Sequence, residues 1–166
     1  MTPPRLSIQI EPAFRRRVSA ALLRAAARAA LSHQAAPQPG TLTIRVTDDA
    51  ALRQLNRDFL GHDYVTDVLS FPSDEVEAGV RYFGDLAIAL PRAAAQAEAG
   101  GHPLAAELQL LVVHGVLHLL GHDHATRAQK ARMWAAQAAI LTELGAPITG
   151  PGPALPPASH TKKTRR

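Results

Sequence analysis

Four of the chain's eight histidines fall between His114 and His124. His114 and His118 are four residues apart. On an α-helix that spacing is about 400° of rotation, so the two imidazoles share one face roughly 6 Å apart and can grip one metal ion. Gly121 supplies the residue type that takes the left-handed backbone ending many helices. Once the chain has turned there, His124 can swing back to the same ion. A helix running straight through Gly121 would present His122 instead; the glycine favours His124. The expected ligands are therefore His114, His118 and His124, holding one zinc ion per chain. Structural zinc sites are usually closed by four protein ligands, commonly including Cys. Three neutral imidazoles leave a position open for water, which zinc acidifies into a nucleophile. The residues thus point to a zinc hydrolase, although nickel or another divalent ion can also occupy three imidazoles. Asp123 has two readings: it orients a ligand imidazole from behind, or it caps the helix that follows.

The order His, three residues, His, five residues, His, with Gly three after the second His, is also the spacing of metzincin proteases. Those enzymes carry a general-base Glu directly after the first His. Here that position is Gly115. The metal-binding pattern is present without the usual proteolytic base, and the spacing assigns no other general acid or base.

A metal site of this kind needs a rigid helix and neighbours that fix its side chains. Leu104, Leu108, Leu111, Val112 and Val113 lead into the histidines, so this helix is apolar nearly all round and reads as the buried central helix. Upstream, Leu6 to Ile10 alternates apolar and polar residues as a half-buried strand does. Phe14 to about Ser32 reads as a helix with Phe14, Val18, Leu22, Ala25 and Ala29 as its buried stripe. Its arginines form a solvated basic face or a phosphate-facing surface. Thr41 to Thr47 is a second strand, and strand, helix, strand is the pattern of a parallel crossover. Asp48 or Asp49 caps a helix that places Leu52, Leu55 and Phe59 on one face and stops at Gly61. Thr66 to Pro72 and Tyr82 to Leu90 read as two more strands, joined by an acidic loop too short for a parallel crossover. Asp85, within the last of these, either supports the metal site or caps a turn. Pro91 begins a short helix. Ala125 to Leu144 forms the last one, with Met133, Ile140, Leu141 and Leu144 as its core stripe and Trp134 as filler.

The fold class is therefore α/β: a mixed four-stranded sheet with one antiparallel strand, packed with about five helices. Residues 1–146 are expected to form one domain, since 166 residues leave room for one core. Residues 147–166 are rich in Pro and Gly, end in a basic cluster, and are expected to be disordered. The chain has no Cys, which excludes disulfides and thiolate metal sites and suits a reducing cytoplasm. No apolar run approaches the roughly 20 residues of a membrane span. The formal charge of +4 favours polyanionic partners.

The stretch His114-Gly115-Val116-Leu117-His118-Leu119-Leu120-Gly121-His122-Asp123-His124 resembles the motif of the YbeY family of bacterial endoribonucleases, His-Gly-x-Leu-His-Leu-x-Gly-x-Asp-His, at every fixed position. Leu55-Asn56, the run from Thr66 to Pro72, Gly84-Asp85 and Glu107 are similar to that family in the same order. The likeness covers about residues 6 to 145. It implies a mixed α/β fold, one zinc ion on His114, His118 and His124, and metal-dependent cleavage of single-stranded RNA. It further implies maturation of the 3′ end of 16S ribosomal RNA on the small ribosomal subunit, and ribosome quality control, with no DNA partner. One position departs: many members carry an Arg, facing the metal cleft, where this chain has Leu60. Arg57, one turn earlier, is a candidate replacement for holding phosphate. Two other functions stand beside the nuclease. A non-enzymatic ribosome-assembly factor would use a structural metal, and a zinc peptidase would have to work without the missing Glu.

Overall fold

The computed structural model describes residues 4–146 and Ile148. The rest of the tail expected to be disordered lies outside the described residues.

Five α-helices and a mixed sheet make up the fold. In order these are β1 (Ser7–Ile10), α1 (Ala20–His33), β2 (Gly40–Thr47), α2 (Asp49–Leu60), β3 (Val68–Pro72), β4 (Val76–Glu77), β5 (Val80–Ala89), α3 (Leu90–Gly100), α4 (Leu104–Leu119) and α5 (Arg127–Glu143). The sheet order is β1-β2-β5-β3. β1 and β5 flank β2 in parallel, and β3 runs antiparallel to β5, as the short acidic connection implied. That loop also contributes β4, two residues paired antiparallel with the start of β5, so the sheet has a fifth strand.

Alternation along β5 divides the sheet into two faces. Leu86 and Ile88 join Ile44, Val46 and Val68 in the main core with residues of α1, α4 and α5. Ala87 and Ala89 point the other way, where Leu52 of α2 packs with Leu69. Helix α4 is buried nearly all round, with Leu108, Val112, Val113, Val116 and Leu117 inaccessible or almost so. Each such side chain contributes ~1.5–3 kcal/mol through burial, so α4 is held in place along its whole length. It also lies very close to the sheet. A Cβ on Gly115 would come within 2.7 Å of Leu86 Cδ2, and the Ser70 hydroxyl donates to the Gly115 carbonyl at 3.3 Å.

Helix α1 starts later than its apolar spacing suggests. A short 3-10 turn occupies Pro12–Phe14, and Ser19 caps the helix by accepting from Leu22 N–H. The break changes the phase. Leu23, Ala26, Ala27, Ala30 and Leu31 are buried, while Ala25 is exposed. Alanines on every side of this helix give the sequence little contrast between faces.

Candidate metal centre

The end of α4 follows the glycine signal. Gly121 takes φ 101°, in the left-handed region. The Gly121 N–H reaches the His118 carbonyl at 3.0 Å and the His122 N–H reaches the Leu117 carbonyl at 2.9 Å, closing the last turn. The chain then doubles back and brings His124 to the helix. Ring centroids lie 4.8 Å apart for His114 and His118, 5.7 Å for His114 and His124, and 5.2 Å for His118 and His124. One nitrogen from each ring lies within 4.8 Å of the other two. Some point is then within ~2.8 Å of all three, against about 2.0–2.1 Å for a zinc–imidazole bond. A contraction of under 1 Å closes the cluster around an ion.

Ring orientation supports the same use. His114 Nδ1 lies 2.9 Å from Gln137 Oε1, and His118 Nδ1 lies 2.9 Å from the His122 carbonyl oxygen. Both oxygens only accept, so each Nδ1 carries the proton and each Nε2 keeps its lone pair for a cation. The donor set, neutral imidazole without thiolate or carboxylate, suits zinc. Among the described residues the cluster contains these three histidines and no fourth potential ligand.

His122 stands apart. Its Nε2 lies 2.8 Å from Gln34 Oε1 at the end of α1, which ties the loop to the body of the fold. Burial, helped by the charge of Arg132, holds its pKa below the ordinary imidazole value. Asp123 does not cap the helix that follows. Thr126 caps α5 in a reciprocal capping box with Gln129. Asp123 instead accepts from the backbone N–H of His124 at 2.7 Å and shapes the loop that delivers the third imidazole. Asp85 is not brought to the histidines. It is exposed, accepts from the Tyr82 hydroxyl, and lines a cleft of about 470 Å³ with Arg45 and Phe59. Burial first, and then the hydrogen bond to Asp85, push the Tyr82 phenol up to about 12.

Two residues of α5 complete the surroundings. Trp134 is more than filler: its rings lie edge-on to His114 at 5.8 Å and to His124 at 5.7 Å. Gln137, almost fully buried, sits one turn further on. The sequence holds a signal for it, because a glutamine interrupts the apolar stripe of Met133, Ile140 and Leu141. A polar residue at a core position must find a partner.

The sequence matches the model of the family described as Endoribonuclease YbeY over residues 7–145. The chain belongs to the YbeY family. Endoribonuclease YbeY of Chloroflexus aggregans is 46% identical over 138 residues, covering 78% of this chain and 90% of that one. Endoribonuclease YbeY of a Roseiflexus species, strain RS-1, is 42% identical over 148 residues, covering 84% of this chain and 92% of that one. The fold is similar to the solution structure of TM1509 from Thermotoga maritima, with a TM-score of 0.54 at 21% identity, covering 86% of this chain and 94% of that one.

Other positions through which the chain resembles the YbeY family have structural homes. Glu107 is completely buried near the start of α4, and His102 Nε2 lies 2.5 Å from its Oε1. The Gln96 amide donates to Glu107 at 2.9 Å and to Asp67 at 3.2 Å. Burial pushes the Glu107 carboxyl up, and the hydrogen bond from His102 opposes that shift. Leu60 packs against the apolar cluster of Leu52, Leu69, Ala87 and Ala89. Arg57 donates to Gln54 Oε1 and lies 3.9 Å from Asp58. No helix among the described residues is long and apolar enough to cross a membrane.

Proposed function

We propose that this YbeY-family chain is a zinc-dependent endoribonuclease acting on single-stranded RNA, with His114, His118 and His124 as the metal ligands. Its substrate is ribosomal RNA, chiefly the 3′ end of 16S RNA on the small subunit, and its setting is ribosome maturation and quality control in the cytoplasm. Residues 1–146 form the hydrolase unit. The observation that carries the reading is the convergence of three imidazole nitrogens within 4.8 Å, backed by neutral acceptors behind two of the rings. When bound, a zinc ion supplies Lewis-acid activation of a phosphoryl oxygen and acidifies a water. Gln137 and the His122 carbonyl hold the ligand rings in the required tautomer. Trp134 packs beside His114 and His124 and restricts their motion. A peptidase is disfavoured by Gly115, which packs against the Leu86 side chain and stands where the metzincin motif carries its general-base Glu.

The test compares purified chain with a His114→Ala/His118→Ala double variant. Metal content is measured by elemental analysis, and cleavage of single-stranded RNA and of unstructured peptides is followed with and without chelator. Loss of metal together with loss of RNA cleavage is expected. Full RNA cleavage by the metal-free variant refutes the metal-dependent reading. Ribosome association by a metal-loaded chain without nuclease activity supports an assembly factor instead.

A further inference from the structure

A second cleft touches the loop that joins the last two histidines of the cluster. It measures about 560 Å³ and is lined by Ser73, Asp74, Arg81 and Phe83, by Leu119 at the end of α4, and by Gly121 in the turn that follows. Gly121 is three residues from both His118 and His124, so at most ~11 Å of chain separates this turn from either one.

Arg81 is held firmly here. It pairs with Val76 across the β4–β5 ladder, and its backbone N–H donates to the Pro39 carbonyl at 3.0 Å. Its guanidinium carbon lies 6.0 Å from the centre of the Phe83 ring, at the outer limit of a cation–π contact. Its Nε is buried without a hydrogen-bond partner, and among the described residues its guanidinium makes no hydrogen bond or ion pair. Arg53, by contrast, spends its fork on Asp63 at 2.7 and 3.3 Å. Asp74, the carboxylate lining the same cleft, is exposed. A partly desolvated, uncommitted cation is costly unless an anion meets it. A planar fork of N–H donors matches phosphate in particular.

We propose that Arg81 is the phosphate-holding residue beside the metal loop, binding one backbone phosphate of single-stranded RNA in this cleft. The proposal rests on the endoribonuclease reading for its choice of ligand. Phe83 is only 2% exposed, so its ring supports the guanidinium and offers no face for a base to stack on. The contact therefore orients the strand without selecting its sequence.

The test uses the full, metal-loaded chain and a labelled single-stranded 2′-O-methyl oligoribonucleotide, checked to stay intact on a gel. Binding is measured by fluorescence anisotropy across a salt series. Arg81→Met is expected to lose about 10-fold in affinity and to flatten the salt dependence by ~0.7, the share of one single-strand phosphate. Arg81→Lys should restore the salt dependence and part of the affinity. Asp74→Asn, which removes a repelling charge, should tighten binding about 2-fold. With cleavable RNA, Arg81→Met should raise KM more than it lowers kcat. Metal content and thermal melts of each variant separate these effects from misfolding. Wild-type affinity and salt dependence in a folded Arg81→Met chain overturn the proposal, as does failure of the wild-type chain to bind the probe. A wild-type chain that binds but cleaves nothing refutes the nuclease reading, while the Arg81 comparison still decides phosphate binding.

Discussion

Helix α4 has a polar cluster near each end, and histidine meets different neighbours in the two. Near its start, His102 faces the Glu107 carboxylate, whose other oxygen is taken by Gln96. Gln96 also reaches Asp67 at the start of β3, so the protein satisfies this cluster internally. Near its end, the neighbours behind His114 and His118 are a neutral amide oxygen and a backbone carbonyl. They occupy only the protonated nitrogen of each ring, and the second nitrogen faces its fellows. In the first cluster the imidazole shares a short hydrogen bond with a buried carboxylate. In the second, neutral acceptors behind two of the rings leave a geometry compatible with a shared cation. The charge and placement of the neighbours distinguish the two clusters, not the histidine itself.

The sharpest way to break that contrast is to remove ligands. The His114→Ala/His118→Ala variant should lose its metal and at least 10³-fold of RNA cleavage, while His102→Ala should keep its metal complement. The next effect falls on stability. Glu107→Ala strands Gln96 and His102 in a buried site and should cost about 2–4 kcal/mol in denaturant unfolding, again with metal retained. Glu107→Gln sharpens this through pH. Burial raises the folded pKa of Glu107 above its ordinary 4.5. The folded state therefore holds the proton longer, and this group's contribution is fully present below pH 4.5 and is lost as pH rises through the folded pKa. Melting temperature of the wild type relative to Glu107→Gln should fall across that window. Equal slopes would show that His102 cancels the cost of burial.

The two clusters were unequally legible in the sequence. The three clustered histidines follow a local spacing ended by Gly121, and helix geometry alone brings two of them together. Their supports come from elsewhere in the chain: Gln137 of α5 backs His114, and Gln34, just after α1, ties down His122 and with it the loop. No periodicity couples residues that far apart, and only the oddity of a glutamine in a core stripe hints at the first. Trp134 looked like filler because one aromatic in a helix says nothing of what it meets across an interface. The relative directions within two strand pairs followed from loop lengths, but the place of β5 beside β2 did not. The phase of α1 did not, because a 3-10 turn precedes it and alanine marks no face.

The smaller effects test those supports. Gln137→Leu should weaken zinc affinity about 10–100-fold by releasing the His114 ring, as read by competition with a chelating dye. It should leave the Glu107 cluster untouched. Thr126→Ala removes the cap of α5 and should cost ~1 kcal/mol in unfolding free energy, with little change in metal binding.

The contact between Gly115 and Leu86 limits which chemistries this scaffold can acquire. Where the backbone of a helix rests on the tip of a buried side chain, a side chain can be added at that point only if that neighbour gives way. A carboxylate base beside the first histidine would thus require Leu86 to shift or shrink as well as a change at Gly115. The catalytic options around this motif are narrowed by the architecture before any reactive group is considered.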